Sequence, residues 1–428
     1  MTSIPTRTSR ERPDLLAPGC APDIKITELA ATPGEWTSHI YMEAHVFTPD
    51  SERFVYKRFR GKVPPGNGRE EYDLMLCDLA EGNALRQMTD CGGVTAPSVT
   101  PDGQWLLYFV DEAHPGGGRF SLERVSLETF RRETILVVDA PPAGAEVVPS
   151  RLYALSSVSS DGRRLCTSGF LGDGRRENAP WGLLVCDLER ATCEAVWRDV
   201  EACNLHPQYC RSLAPEAARD VLIQHNHGSR TAPDGVVQTS VAGGGADIHV
   251  IRDDGSRRRD LPWGRDGRER CQGHQAWRGR GTSAITTNRV PQKGGRELSR
   301  IIEGHPVPVE DSLPHLGRNT PGGRRLDVSG GIERPDFCHF AVDASGTRMV
   351  VDSDGRYDRA NSGKLWTATL SEDGLRTRFR FLLNSRATNG REQYTHAHPF
   401  LSPDCRRVFF NSDVSGEPHI FMVEGLEW

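Results

Sequence analysis

The 428 residues carry 53 basic and 58 acidic side chains, a formal net charge of −5, with 36% hydrophobic and 26% charged residues. This composition excludes a disordered chain and offers no basic stripe for nucleic acid. No stretch nears the roughly 18 apolar residues that cross a bilayer, so no membrane partner is expected.

The first 22 residues read as a flexible tail. They hold no apolar run of the export type. With 11 cysteines and no C-x-x-C pair, free thiols in a reducing cytoplasm are expected. The 44 glycines and 28 prolines favour many turns and short strands, an all-β chain. After a lone strand in DIKITELA (23–30), one phrase recurs: a strand, a turn of the S/T-P-D-G type, and a second, mostly apolar strand. It stands at HVFTPDSERFVY (45–56), PSVTPDGQWLLYF (97–109) and ALSSVSSDGRRLCTS (154–168). It is more degenerate at HPQYCRSLAPEAARDVLIQ (206–224) and HQAWRGRGTSAITT (274–287), then returns at HFAVDASGTRMVVDSD (339–354) and HPFLSPDCRRVFFNSD (398–413). Proline presets φ and Asp-Gly accepts the reversal, so each phrase is a β-hairpin. Third alternating strands such as YDLMLCDLAEG and KLWTATLSEDG follow most of them. Seven such units predict a seven-bladed β-propeller, a single domain over 23–428. The last unit ends after its third strand, so residues 23–30 are expected to complete it and close the ring.

The register of the hairpins gathers histidines. His398 lies six residues before the turn aspartate Asp404. His339 and His274 occupy that place in units six and five, His206 opens unit four, and Ala44, Ala96 and Leu155 stand there in units one to three. First strands line a propeller's channel, so these four histidines are expected at one pore mouth. The second strand of unit four returns to it with His225 and His227, and the connection into unit seven adds Gln393 and His396. One such histidine is ordinarily half-buried and bonded to a carbonyl. Seven on one rim, beside an amide oxygen, suit a borderline divalent ion such as Mn, Fe, Ni or Zn. No thiolate falls in register, so a Cys-type zinc site is not expected.

The motifs QYTHAHPFLSPDCRRVFFNSD near the C-terminus, GHQAW (273–277) and HPQ (206–208) resemble those of the oligogalacturonate lyase family. These are cytoplasmic seven-bladed propellers that cleave short pectin fragments by β-elimination, and the resemblance runs from about residue 22 to 428. It implies an enzyme acting on a small oligouronide, with manganese held by His274, Gln393, His396 and His398. It also implies a histidine base after the second strand of unit four. By position that is His225, but the chain departs from the family's His-acidic-Gly pattern and His227 competes for the role. The chemistry is coherent. A metal ion neutralises the uronate carboxylate so that the C5 proton can leave, and a neutral imidazole is a suitable base. Arg211 is expected to assist catalysis; Arg230 and Arg289, with His206, Gln208 and His339, are expected to receive the anionic sugar. A Tol-type propeller that binds a protein or sugar at its pore shares the hairpin, though not the histidine rim. A lyase for another uronate oligosaccharide is the remaining alternative.

Overall fold

The computed structural model describes residues 9–61, 70–242, 245–263, 270–292, 297–308, 324–332, 336–355, 359–390 and 392–428. The chain divides into two compact units, Met1–Asp90 with Ile285–Glu303 and Leu326–Trp428, and Cys91–Ala284 with Gly304–Arg325.

The recurring turn has a local cause. The Thr48 hydroxyl donates to Asp50 at 2.5 Å, and the same carboxylate accepts the Glu52 amide at 3.0 Å. Thr100 and Asp102, Ser159 and Asp161, and Ser402 and Asp404 repeat the arrangement. An aspartate that binds its own backbone two residues on fixes the reversal. The residue after it takes positive φ, 71° at both Gly103 and Gly162, a conformation glycine adopts without steric cost.

In the first unit, one sheet runs Thr37–His39, Arg53–Phe59, Tyr72–Asp78, Ala84–Gln87, and another runs Phe337–Val342, Arg348–Ser353, Lys364–Leu370, Thr377–Asn384. A third joins Phe400–Leu401, Val408–Ser412 and His419–Glu424 to Lys25–Leu29. That last pairing runs in antiparallel register from Lys25 opposite Glu424 to Leu29 opposite Ile420. The early strand therefore completes the final sheet, as its sequence position suggests. Phe47, Phe54, Phe400 and Phe409 pack ring against ring inside this unit.

Part of the segment read as a tail is held in place. Arg10–Glu11 pairs with Thr27 and Glu28, and Leu15 is buried in a short 3-10 turn. Arg10 and Arg12 donate to the buried Glu28 at 2.7 and 2.6 Å, and His419 Nδ1 bonds it at 2.6 Å. Residues 1–8 lie outside the described residues.

In the second unit, one sheet runs Val94–Val99, Trp105–Asp111, Phe120–Ser126, Arg132–Val138. The next carries Arg151–Leu152 and Ser157–Val158 on Arg164–Phe170, followed by Trp181–Asp187 and Thr192–Asp199. The third runs Gln208–Tyr209, Asp220–Asn226, Ala246–Arg252, Arg259–Asp260. Buried Phe109, Phe120, Leu165 and Leu184 fill one core, and Phe170, Trp181, Tyr209 and Ile223 another. With the strands Ala284–Pro291, Glu297–Gly304 and Arg325–Asp327, the described residues form the repeated antiparallel blades of an all-β propeller. None of their helices is long and apolar enough to cross a membrane.

Candidate functional site

In the first unit, three imidazoles converge. His339 sits on Phe337–Val342, and its Nδ1 lies 3.0 Å from Asp352 Oδ2. Asp352 Oδ1 also accepts the His339 backbone amide at 2.8 Å, so one carboxylate fixes both the ring and the chain that carries it. Burial raises the Asp352 carboxyl to about 7, with the His339 amide drawing it back down. The Nε2 atoms of His339 and His398 face each other at 3.2 Å, both side chains buried. His396 follows a 3-10 turn, Gln393–Thr395, and its Nε2–H donates to the Gly390 carbonyl at 2.8 Å. Because a carbonyl only accepts, the lone pair lies on His396 Nδ1, which is buried without a hydrogen-bond partner. One ligand nitrogen from each ring falls within a 4.8 Å cluster.

This donor set fits a divalent ion: three imidazoles, with a carboxylate behind one to set its tautomer. The hairpin register brought His339 and His398 to equivalent places, and the structure brings them into contact. His339, expected at the substrate, is thus a member of the histidine cluster. Gln393 opens the 3-10 turn with an exposed side chain, and Arg289 is half-buried on Ala284–Pro291. Cys338, one position out of the histidine register, has its Sγ 3.7 Å from His339 Nε2. Sequence reasoning also missed His39. It is buried on Thr37–His39, edge-on to His398 at 6.0 Å, and burial lowers its pKa to about 3, which keeps it neutral. The hairpin register places Ala44 at the equivalent position of unit one, five residues beyond His39.

In the second unit, His225 and His227 stand on and just beyond Asp220–Asn226, their rings 4.5 Å apart. His225 Nε2 meets Asp199 at 3.1 Å, and its Nδ1 is buried with no hydrogen-bond partner. His227 is engaged on both sides, Nδ1 to Glu201 and Nε2 to Asp247, each at 2.9 Å. The bond from His225 lowers Asp199 below the usual carboxylate range. Burial opposes the same shift in Glu201, but the Gly228 amide and His227 prevail and lower it too. Beside them His249 bonds Asp260 at 2.6 Å, and burial lowers its pKa. The three acidic partners Asp199, Glu201 and Asp247 carry no motif that sequence reasoning could have singled out.

His206 is buried with φ of 45°, edge-on to Tyr153 at 5.5 Å. Gln208 donates its amide to the Gln275 carbonyl at 2.8 Å, tying two strands together. Arg211 is half-buried, Arg230 is exposed 4.0 Å from Glu177, and His274 is half-buried on Arg270–Trp277.

No family model matches the sequence. An oligogalacturonide lyase from Pectobacterium atrosepticum is 26% identical over 367 residues, covering 82% of this chain and 83% of that protein. The sequence is thus similar to that of an oligogalacturonide lyase over most of both chains. A solved oligogalacturonate lyase in complex with manganese superimposes with a TM-score of 0.69 at 18% identity, over 100% of this chain and 98% of that one. The oligogalacturonate lyase of Vibrio parahaemolyticus gives 0.67 at 19% identity, over 99% and 98%. At such identities the solved structures establish the fold that this chain shares with them.

Proposed function

We propose that this chain is a metal-dependent oligogalacturonide lyase acting in the cytoplasm, where its eleven cysteines are free thiols. The observation that carries the reading is the convergence of His339, His396 and His398 in one cluster, with Asp352 on His339 Nδ1 and the Gly390 carbonyl on His396 Nε2. His396 and His398 would hold the divalent ion together with His339. Gln393 and His274 complete the set on the family resemblance. Manganese is the ion of the solved relative. Such an ion, when bound, supplies the positive charge that makes the proton next to a uronate carboxylate removable.

The proton itself is a task for the chain's own residues. Of the two candidate bases, His227 has both nitrogens committed to carboxylates, whereas His225 donates from Nε2 to Asp199 and keeps the lone pair on Nδ1. We therefore assign the base to His225. Nδ1 takes the C5 proton, and Asp199 stabilises the imidazolium that results. The electron pair left on C5 forms the C4–C5 double bond as the glycosidic oxygen departs from C4. Arg211, Arg230 and Arg289, with His206, are the proposed contacts of the anionic sugar.

The test is to mix metal-loaded protein with digalacturonate and trigalacturonate and follow the ultraviolet absorbance of the unsaturated product. Activity on these fragments is expected. Absence of product with every member of a uronide panel, with or without added manganese, would refute the lyase reading, and activity on another uronide alone would replace the substrate.

A further inference from the structure

In the second unit, Trp181–Asp187 turns back into Thr192–Asp199 through a short connection. The Asp187 carboxylate accepts the Glu189 and Arg190 amides there at 3.0 and 2.9 Å. That turn fixes the register, and Cys186 stands directly opposite Cys193. The kind of pair they make follows from Ala195, two residues further along. Its amide donates to the Ala143 carbonyl at 2.8 Å, away from Trp181–Asp187. Backbone orientation alternates along a strand, and the pairing is unbroken from Ala195 opposite Leu184 to Cys193 opposite Cys186. Cys193 therefore also turns its amide outward. The two cysteines occupy a non-hydrogen-bonded position, where opposed Cα atoms stand about 4.5 Å apart and side chains approach most closely. A disulfide spans Cα separations of about 4.4–6.8 Å. Both side chains belong to the core that holds Leu165 and Leu184. The Cys193 side chain hydrogen-bonds Cys186, and this contact with burial holds the Cys186 thiol well above the ordinary thiol range. Cys166, on the neighbouring strand, lies opposite Val185 and packs in the other core with Phe170 and Trp181.

We infer that Cys186 and Cys193 form a thiol modification site, a pair that a small disulfide such as oxidised glutathione closes into a cross-strand bond. Cys193 is half-buried and Cys186 fully buried, which orders the steps. The Cys193 thiolate attacks the small disulfide, forming a mixed disulfide and releasing one small thiol. Cys186 then gives up its proton, attacks the Cys193 sulfur and releases the second small thiol. Two protein thiols are oxidised and one small disulfide is reduced to two thiols, so protons and electrons balance. A reducing pool keeps the pair open, and an oxidised pool closes it. The strand that carries Cys193 ends at Asp199, the acidic partner of His225. The modification thus falls on the strand that holds the second histidine cluster from one side.

Trypsin cleaves after Arg190, between the two cysteines, so the bond joins two separate peptides. Full-length native protein is equilibrated in glutathione buffers from fully reduced to fully oxidised, alkylated, digested and mapped by mass spectrometry without reduction. C186S, C193S and C166S are treated alongside. The linked pair should be absent in reduced glutathione, become the main form of these peptides in oxidised glutathione, and vanish on adding dithiothreitol. C166S should retain the link, C193S should lose it, and C186S should stop at the mixed disulfide on Cys193. A native protein that shows no link in oxidised glutathione, or only a stable glutathione adduct on Cys193, overturns the inference. So does a link from either cysteine to a third. The native map decides by itself if a variant fails to fold.

Discussion

In the first unit the carboxylate of Asp352 stands behind His339, on the nitrogen turned away from His398. In the second, Asp199 and Glu201 stand in front of His225 and His227. Both clusters are rich in histidine, yet they make opposite electrostatic demands. The first gathers ring nitrogens from three imidazoles with no carboxylate between them, an arrangement that suits a cation. The second brings its own charges: each imidazole proton already has a carboxylate to meet, and the cluster is satisfied by protons alone. A carboxylate in front of a histidine makes an acid–base group, and one behind it makes a metal ligand.

The comparison breaks most completely at His398. His398→Ala should abolish bound divalent metal by elemental analysis while His227→Ala retains it; the reverse pattern would exchange the roles of the two clusters. Next in size, His225→Ala should lower kcat by about 10²–10⁴-fold with metal content unchanged, and loss of metal together with activity would move His225 into the metal site. Asp352→Asn should weaken metal binding about 10–100-fold, the usual cost of losing the group that orients a ligand, measured by competition with a chelating dye. Smallest is Glu201→Gln, expected to cost about 1 kcal/mol at neutral pH because the pair with His227 is partly exposed.

The last substitution also has a pH signature. Asp199 and Glu201 both titrate below their ordinary values in the folded protein. The unfolded chain therefore takes up these protons first on acidification. The stability that they contribute is complete above the ordinary carboxylate range and is lost as pH falls through the lowered folded values. Thermal melts of the native protein and Glu201→Gln should differ at pH 7 and converge toward pH 3; a constant gap would show that the ion pair carries none of the difference.

The hairpins were legible because their turn chemistry is local. A hydroxyl, an aspartate and a left-handed residue within six positions fix each reversal, and the same spacing carried the register that aligned His339 with His398. The pairing of residues 25–29 with the final sheet followed from counting strands. What escaped was whatever depended on a departure from alternation or on partners far along the chain. Cys338 seemed to face away from the histidines because a strand reverses its face at every residue, and only a bulge opposite Asp352 turns it back. Asp199, Glu201 and Asp247 look like ordinary strand-end acids in sequence, 20 or more residues from His227. His39 lies more than 350 positions from the ring it touches.

The pairing of Lys25–Leu29 with His419–Glu424 also bears on how the protein is made. The sheet that follows His396 and His398 takes two strands from near the beginning of the sequence and three from its end, and Glu28 of an early strand bonds His419 of a late one. Residues 25–29 leave the ribosome early and wait for their partner while nearly four hundred further residues are synthesised. The blade carrying these two histidines is consequently complete only once both ends of that pairing have been made.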